Sequence, residues 1–400
     1  MLDYPLSSAR TDALKDLELF IPRSGRYSRD RNHVLLGHEN VSCLSPAIRH
    51  RLISEWEVAA APLERYAVST VEKFTQEIYW RSYWKSWLSL RPQVWDEYVN
   101  SIPEPCDFSQ KIMSGNGPIA IMNYFANELR ETGYLHNHAR MWFSGYWIHI
   151  ARLPWQLGAR FFEQNLLDFD PASNTLSWRW VAGLQTPGKT YLPRRSNLEK
   201  YLEPELLAKV GTKGLDLLEK PQALRPEDVK RPSITRPELE SDPIPDCGGL
   251  WIHEEDLTPE LTQLSGFKSK QIFISQHSTR LEHIKASRQR VSWLQSALAD
   301  AAARGEQHYK SPCVIAEIED LISWAKNHQL DDIVTLRPEI GPLHDLLPKI
   351  KEALSKEGIT LHLVIRGEDQ ILRPLAKAGF FKFWETLKPQ LVQGGLSRAE

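Results

Sequence analysis

The sequence predicts a mainly helical N-terminal part followed by a smaller α/β unit built on a parallel, Rossmann-like sheet. Three observations carry that expectation. Before residue 220, apolar and aromatic residues recur at helical spacing. Residues 221–248 are dense in proline and charge, as in a linker. Beyond 249, short β-rich runs alternate with helical ones, which implies parallel strands joined by crossover helices. The expected units are therefore 1–220, 221–248 and 249–400, and 400 residues with 42% hydrophobic content can give each folded unit a sizeable core.

Composition excludes several classes. A net charge of -2 rules out a uniformly basic nucleic-acid binder, so any such contact must come from a local patch. Cys43, Cys106, Cys247 and Cys313 form no CxxC pair, which argues against structural zinc, a disulfide framework and an iron–sulfur cluster. No basic region followed by an apolar run opens the chain, and no stretch approaches the length of a membrane span, so a cytoplasmic protein is expected.

Taken in order, Ala9 to Phe20 reads as a helix and Pro22 to Asn40 as a loop. Ser42 and Ser45 are placed to cap a helix from Pro46, whose free N–H groups suit an anion; an ordinary capped helix has the same pattern. From Pro62 to Leu90 the helical period puts Glu77, Trp80, Arg81 and Trp84 on one face. A structural helix that buries indoles and solvates charges would look alike. Ser101 to Gly117 reads as a loop and Pro118 to Glu131 as a helix ended by Gly133. A further helix from His136, stopped by Pro154, sets Asn137, Arg140 and Met141 on about one face. Gly158 to Leu167 is a short amphipathic helix.

The stretch Asp168-Phe-Asp-Pro-Ala-Ser-Asn-Thr-Leu-Ser-Trp-Arg-Trp180 follows. Pro171, Ser173 and Asn174 predict a turn-rich loop. Such a loop can offer Asp168, Asp170 and Asn174 to the polar edge of a ring, with Trp178 and Trp180 for stacking or electron transfer; equally, it can be a buried loop whose acids cap helices. Lys189, Arg194 and Arg195 make the next run basic. In the second unit, 250–253, 271–275, 333–336 and 359–365 read as strands, and 281–302 and 343–357 as helices. That unit has no GxGxxG or Walker loop.

Three stretches occur in one order: Glu77-Ile-Tyr-Trp80-Arg81, Thr132-Gly133-Tyr134-Leu135-His136-Asn137-His138-Ala139-Arg140-Met141, and the Asp168–Trp180 run. Together they resemble the FAD-binding domain of the photolyase/cryptochrome family. Val41-Ser42-Cys43-Leu44-Ser45-Pro46 is similar to the family's phosphate-binding turn, with Val41 and Cys43 where the family has Thr and Arg, and Tyr27 precedes it. The resemblance spans roughly residues 1–230. Most photolyases carry an α/β antenna domain before the FAD domain; here the α/β unit comes after it, and Leu250 to Leu257 is faintly similar to that domain's opening strand, which raises a circular permutation as an expectation.

The resemblance implies FAD as cofactor, with the antenna chromophore unknown. It implies FAD contacts at Tyr27, Ser42, Leu44, Ser45, Phe74, Arg81, Asn137, Arg140, Asp168, Asp170 and Asn174. It makes Trp80 and Trp180 the indoles that wedge a pyrimidine dimer, Glu77 the acid that hydrogen-bonds it, and Met141 a neighbour in the same slot. Asn174 matches the position facing flavin N5, where an amide is a poor proton donor. Trp178 and Trp155 match the first two members of an electron-transfer chain. The third falls on Ile102, with Trp87, Trp95 and Trp147 as replacements. Ile150 stands where an Asp normally pairs with the arginine matched by Arg140, so Arg140 must find Asp168, Asp170 or the flavin. The implied activity is light-driven repair of cyclobutane pyrimidine dimers by a monomer acting on ultraviolet-damaged DNA, with a preference for single-stranded DNA as a further expectation. The alternatives are a cryptochrome-like blue-light sensor, a (6-4) photolyase, or a helical nucleic-acid-binding module with a vestigial flavin site.

Overall fold

Helices and a sheet segregate along the chain as the hydrophobic periods predict. The computed structural model describes residues 6–186, 189–226, 229, 231–235 and 240–392. Parts of the expected linker and of the basic run after Gly183 lie outside the described residues. The helical part is built around Val68–Ser89, a helix flanked by Trp155–Asn165, Pro171–Val181 and Asn137–Gly145. A large cluster of buried aromatic residues, among them Trp142, Trp147, Trp178, Phe125 and Phe143, holds these helices together.

Two expected loops are corrected. Pro171–Val181 is a helix, with Asp170 as N-cap accepting from Ser173 N–H at 2.7 Å and proline in the first turn. Proline, serine and asparagine after an aspartate are as much the signature of a helix start as of a turn, and the apolar positions that follow decide for the helix. Likewise, Asp107–Met113 forms a short helix within the expected 101–117 loop. The helix from His136 begins at Asn137 and passes into a π-helical turn, Tyr146–Ile150, before Pro154.

The α/β unit has five parallel strands: β1 (Cys247–Ile252), β2 (Lys268–Gln276), β3 (Cys313–Glu317), β4 (Asp332–Leu336) and β5 (Thr360–Val364), in the order β3-β2-β1-β4-β5. This is the doubly wound order with its reversal between β1 and β4. That order is shared by many such sheets and so does not by itself identify a permuted antenna domain. β3 was not foreseen: it is an edge strand with Val314 and Ile315 more than a third exposed, so it lacks a buried face. The chain then leaves the sheet. Leu372, Phe380, Phe383, Trp384 and Leu387 pack in the helical core, while the N-terminal helix, Arg10–Ser24, packs with the sheet's helices, and Trp293 Nε1 donates to Leu6 O at 3.0 Å.

A buried ionic joint seats the two parts on each other. Arg51 donates to Asp369 through both guanidinium nitrogens at 2.8 and 2.6 Å and to Asp256 at 3.1 Å, and Arg366 donates to Asp256 at 2.9 Å. Arg49 donates to Glu255 at 2.7 Å, and Leu257 N–H to the His50 carbonyl at 3.1 Å. Asp369 is held far below the usual carboxylate range: burial pushes it up, but Arg51 and Arg373 outweigh that. Among the described residues no helix is long and apolar enough to cross a membrane.

Removing one partner of such a pair strands a buried charge, which costs about 3–5 kcal/mol. Arg51→Ala should therefore lower the unfolding free energy by about that amount in urea titrations. A loss within about 0.5 kcal/mol, the range of an ordinary surface change, would show that the joint does not hold the parts together.

Candidate functional site

The Val68–Ser89 helix supplies one wall, since the period of the helix turns Phe74, Glu77, Ile78, Trp80, Arg81 and Trp84 toward one cavity. Phe74 is anchored by Phe20 and Tyr27, whose rings lie 5.3 and 5.2 Å away. Glu77 pairs with Arg31 at 2.6 Å and lies 3.9 Å from Lys73. Burial nevertheless raises its carboxyl above the usual range, against the pull of both cations.

The floor is a charge cluster. Asp170 Oδ2 lies 3.7 Å from each of Arg49, Arg81 and Lys85. Burial works upward on its carboxyl, yet Lys85, Arg49, Arg81 and the Ser173 N–H bring it down to about 2. Asp168 takes a 2.9 Å bond from Arg140, which answers the question raised by Ile150: the arginine without its usual acid pairs with Asp168. Burial again opposes, and Arg140 and Arg81, helped by the Ser45 hydroxyl, hold Asp168 below the ordinary range.

The expected capping by Ser42 and Ser45 is corrected. The helix Ser45–Arg49 has Leu44 as N-cap with no side-chain cap bond; Ser45 lies within its first turn, and Ser42 Oγ accepts only a 3.5 Å contact from Leu44 N–H. Arg195, from the basic run, is engaged by Glu199 at 2.8 Å and Glu219 at 3.0 Å.

The cavity measures about 1190 Å³, at the upper end of or beyond the usual range for a single small ligand. Every site residue named from the sequence lines it except Trp155. Several buried polar atoms in its wall have no hydrogen-bond partner: Asp168 Oδ1, Asp170 Oδ2, Arg81 Nη1 and Trp178 Nε1. Carboxylate and guanidinium atoms left without a hydrogen bond in one large cavity fit a cofactor that carries ring N–H and hydroxyl donors together with phosphate acceptors, as FAD does. Asn174 spends its Nδ2 on the Ala159 carbonyl at 3.0 Å, which leaves its Oδ1 as the acceptor for a cavity ligand.

Trp178 lies 2% exposed on the Trp155–Asn165 helix, and only glycine at 158 permits it, because a Cβ there would come within 2.2 Å of the indole. Its ring meets Phe162 at 5.0 Å and Trp147 at 6.5 Å. Outside the cavity, Trp155 stacks on Tyr98 at 5.4 Å and Tyr98 meets Trp95 at 5.6 Å, so of the three replacements for the missing tryptophan, Trp95 is the one reached through Trp155. Trp87 lines the cavity itself beneath Arg91, and Ile102 packs against the helical core. Sequence reasoning missed Lys85 and Arg49, buried cations whose charge is balanced only in three dimensions, and Lys377 and Phe380, which line the same cavity from the far end of the chain.

Residues 74–203 match the family model described as the FAD binding domain of DNA photolyase. A cryptochrome DASH of Idiomarina loihiensis is 30% identical over 192 residues, 45% of this chain and 42% of the relative. A deoxyribodipyrimidine photo-lyase of Alkalihalophilus pseudofirmus is 26% identical over 187 residues, 45% of this chain and 39% of that protein. The chain thus spans about two-fifths of the length of these relatives. Among solved structures, a bacterial class III photolyase from Agrobacterium tumefaciens aligns with a TM-score of 0.43 at 22% identity, covering 53% of this chain and 52% of that one.

Asp170→Asn isolates the floor charge, since asparagine caps a helix as well as aspartate does. A depressed carboxyl contributes stability that is complete above its unfolded pKa of about 3.9 and is lost as pH falls toward the folded value. The variant should be less stable than the parent by about 3–5 kcal/mol near neutrality, with the gap narrowing below about pH 4. Equal gaps in paired urea titrations at neutral and acid pH would refute the charge assignment.

Proposed function

We propose that this chain, whose residues 74–203 match the FAD binding domain of DNA photolyase, belongs to the photolyase/cryptochrome family and repairs cyclobutane pyrimidine dimers in ultraviolet-damaged DNA, favouring single strands, as a cytoplasmic monomer. The observation that carries this reading is that Glu77, Trp80, Met141, Asn174 and Trp180 line a single cavity that also takes in the polar groups expected at a flavin. Bound and reduced, FAD supplies the electron that opens the cyclobutane ring and takes it back.

The chain's own part is to hold and orient. Asp168, fixed by Arg140, keeps one oxygen free for a ring N–H or ribose hydroxyl of the cofactor. Arg81 and Asn137 stand on the same cavity, and Asn174 presents an amide oxygen that accepts a proton-bearing nitrogen and gives no proton. Trp80 and Trp180 offer stacking faces to a dinucleotide turned out of the strand, an arrangement worth about 1–3 kcal/mol per base and easiest at damaged or single-stranded sites. Glu77, raised by burial, is more readily protonated than a surface glutamate and can then donate to a base carbonyl. Trp178, buried between Phe162 and Trp147, is the first relay for electrons into the site.

Blue-light sensing is the second reading, favoured by the cryptochrome DASH relatives. It separates from repair in one experiment. The FAD-loaded, chemically reduced protein should restore thymine absorbance to ultraviolet-damaged oligothymidine under blue light and not in the dark. No recovery while the reduced protein binds the damaged strand moves the function to sensing. In the same assay Trp180→Ala should weaken binding of the damaged strand about fivefold or more with FAD content unchanged; loss of both together would remove Trp180 from the substrate slot.

A further inference from the structure

The open question at the slot is what fixes Trp80, a partly exposed indole on a helix whose neighbours are themselves aromatic. The structure answers it from a residue 300 positions away. Phe380 lies parallel to Trp80, ring centroids 3.8 Å apart and planes 9° from each other, so one indole face is taken. Phe380 is buried at 3% exposure, walled by Tyr83 at 5.6 Å and Phe383 at 6.1 Å, yet it reaches the cavity.

The backbone before Phe380 is held by the helix that carries Trp80. The Tyr83 hydroxyl donates to the Ala378 carbonyl at 2.9 Å, and Arg91 donates to the carbonyls of Ala376 and Lys377 at 3.4 and 3.2 Å. Farther on, Trp384 Nε1 and Lys388 Nζ both reach Glu72, at 2.9 and 2.8 Å. The segment is thus fastened at both ends to the Val68–Ser89 helix. Lys377 lines the same cavity, is solvent-exposed, and has no carboxylate partner among the described residues. An unpaired cation lining the same cavity as an indole with one covered face has the chemistry of a single-stranded nucleic-acid site, in which bases stack on aromatic rings and cations follow the phosphates.

We propose that the Lys377–Phe380 segment is the outer wall of the nucleic-acid slot. Phe380 is a positioning residue: by covering one face of Trp80 it fixes the indole so that a single base stacks on the side left toward the cavity. Lys377 meets a backbone phosphate of the same strand. This rests on the DNA reading above.

The test is equilibrium binding of the FAD-loaded full chain to ultraviolet-damaged oligothymidine across a salt series, for the parent, Phe380→Ala, Phe380→Tyr and Lys377→Gln, with FAD content measured in each. Phe380→Ala should bind about fivefold or more weakly with an unchanged salt slope, and Phe380→Tyr should bind like the parent. Lys377→Gln should flatten the dependence of log affinity on log salt by about 0.7, the contribution of one phosphate in a single strand. Unchanged or tighter binding by Phe380→Ala overturns the wall, tighter binding because the ring then fills the slot instead of building it. An unchanged slope for Lys377→Gln overturns it too, and that surface variant decides the matter if Phe380→Ala loses FAD. A parent that retains FAD and binds no damaged strand overturns the repair reading itself.

Discussion

The carboxylate of Asp170 is the group on which the remainder of the site depends. Three cations, the buried Arg49 and Lys85 and the partly buried Arg81, approach it to 3.7 Å, and the buried pair could not sit there without an anion between them. The same side chain caps the Pro171–Val181 helix through Ser173 N–H. That helix carries Asn174, Trp178 and Trp180, so the placement of the amide and both indoles and the neutralisation of the floor are set by one residue. Arg49 then carries the link outward, because the Nε that faces Asp170 donates to the Phe169 carbonyl and its Nη2 donates to Glu255.

Glu255 belongs to the loop after β1, and there the organisation of the α/β unit becomes intelligible. In a doubly wound sheet the crevice at the strand reversal, outside the carboxyl ends of the strands, is where ligands bind. Here the loop His253–Asp256 after β1 and the segment Arg366–Asp369 after β5 meet Arg49 and Arg51 of the helical part. His253 Nε2 contacts the Leu336 carbonyl at the end of β4, at 2.6 Å, which closes the crevice from beneath. A ligand at that position would have to displace a paired, buried guanidinium. The sheet uses its reversal point as a joint.

Much of this was legible in the sequence where a period or a local motif carried the information. The helical period placed Glu77, Trp80 and Arg81 on one face, and the Asn137–Met141 spacing placed Asn137, Arg140 and Met141 beside the acids, because both are properties of a single helix turn. The strand and helix alternation gave the parallel sheet. What failed did so for local reasons. The Asp168–Trp180 stretch reads equally as a turn and as a capped helix start until the apolar pair Ala172 and Leu176, four residues apart, is weighed at helical spacing. Ser45 looked like a cap because its position within the helix depends on a one-residue boundary. What could not be read at all was long-range: a lone Phe380 in the Phe-Phe-Lys-Phe-Trp run gives no sign that it stacks on Trp80, and Lys85 looks like any helix-surface lysine until Asp170 is brought beneath it.

These long-range contacts bear on how the chain is divided. The span 74–203 that matches the FAD-binding domain holds most of the polar groups facing the cavity. Yet its charges reach beyond that span: Glu77 is answered by Arg31, and Asp170, besides Arg81 and Lys85, draws in Arg49, which in turn binds Glu255. Its principal indole is covered by Phe380. A segment ending near residue 220 would therefore take Glu255 from Arg49, Asp256 and Asp369 from Arg51, and Phe380 from Trp80, leaving the two arginines only the longer 3.7 Å contacts to Asp170 and Glu55. The buried charges of the site are thus paired across the helical core and the sheet's first loop, and the returning C-terminal helix adds the ring that covers Trp80.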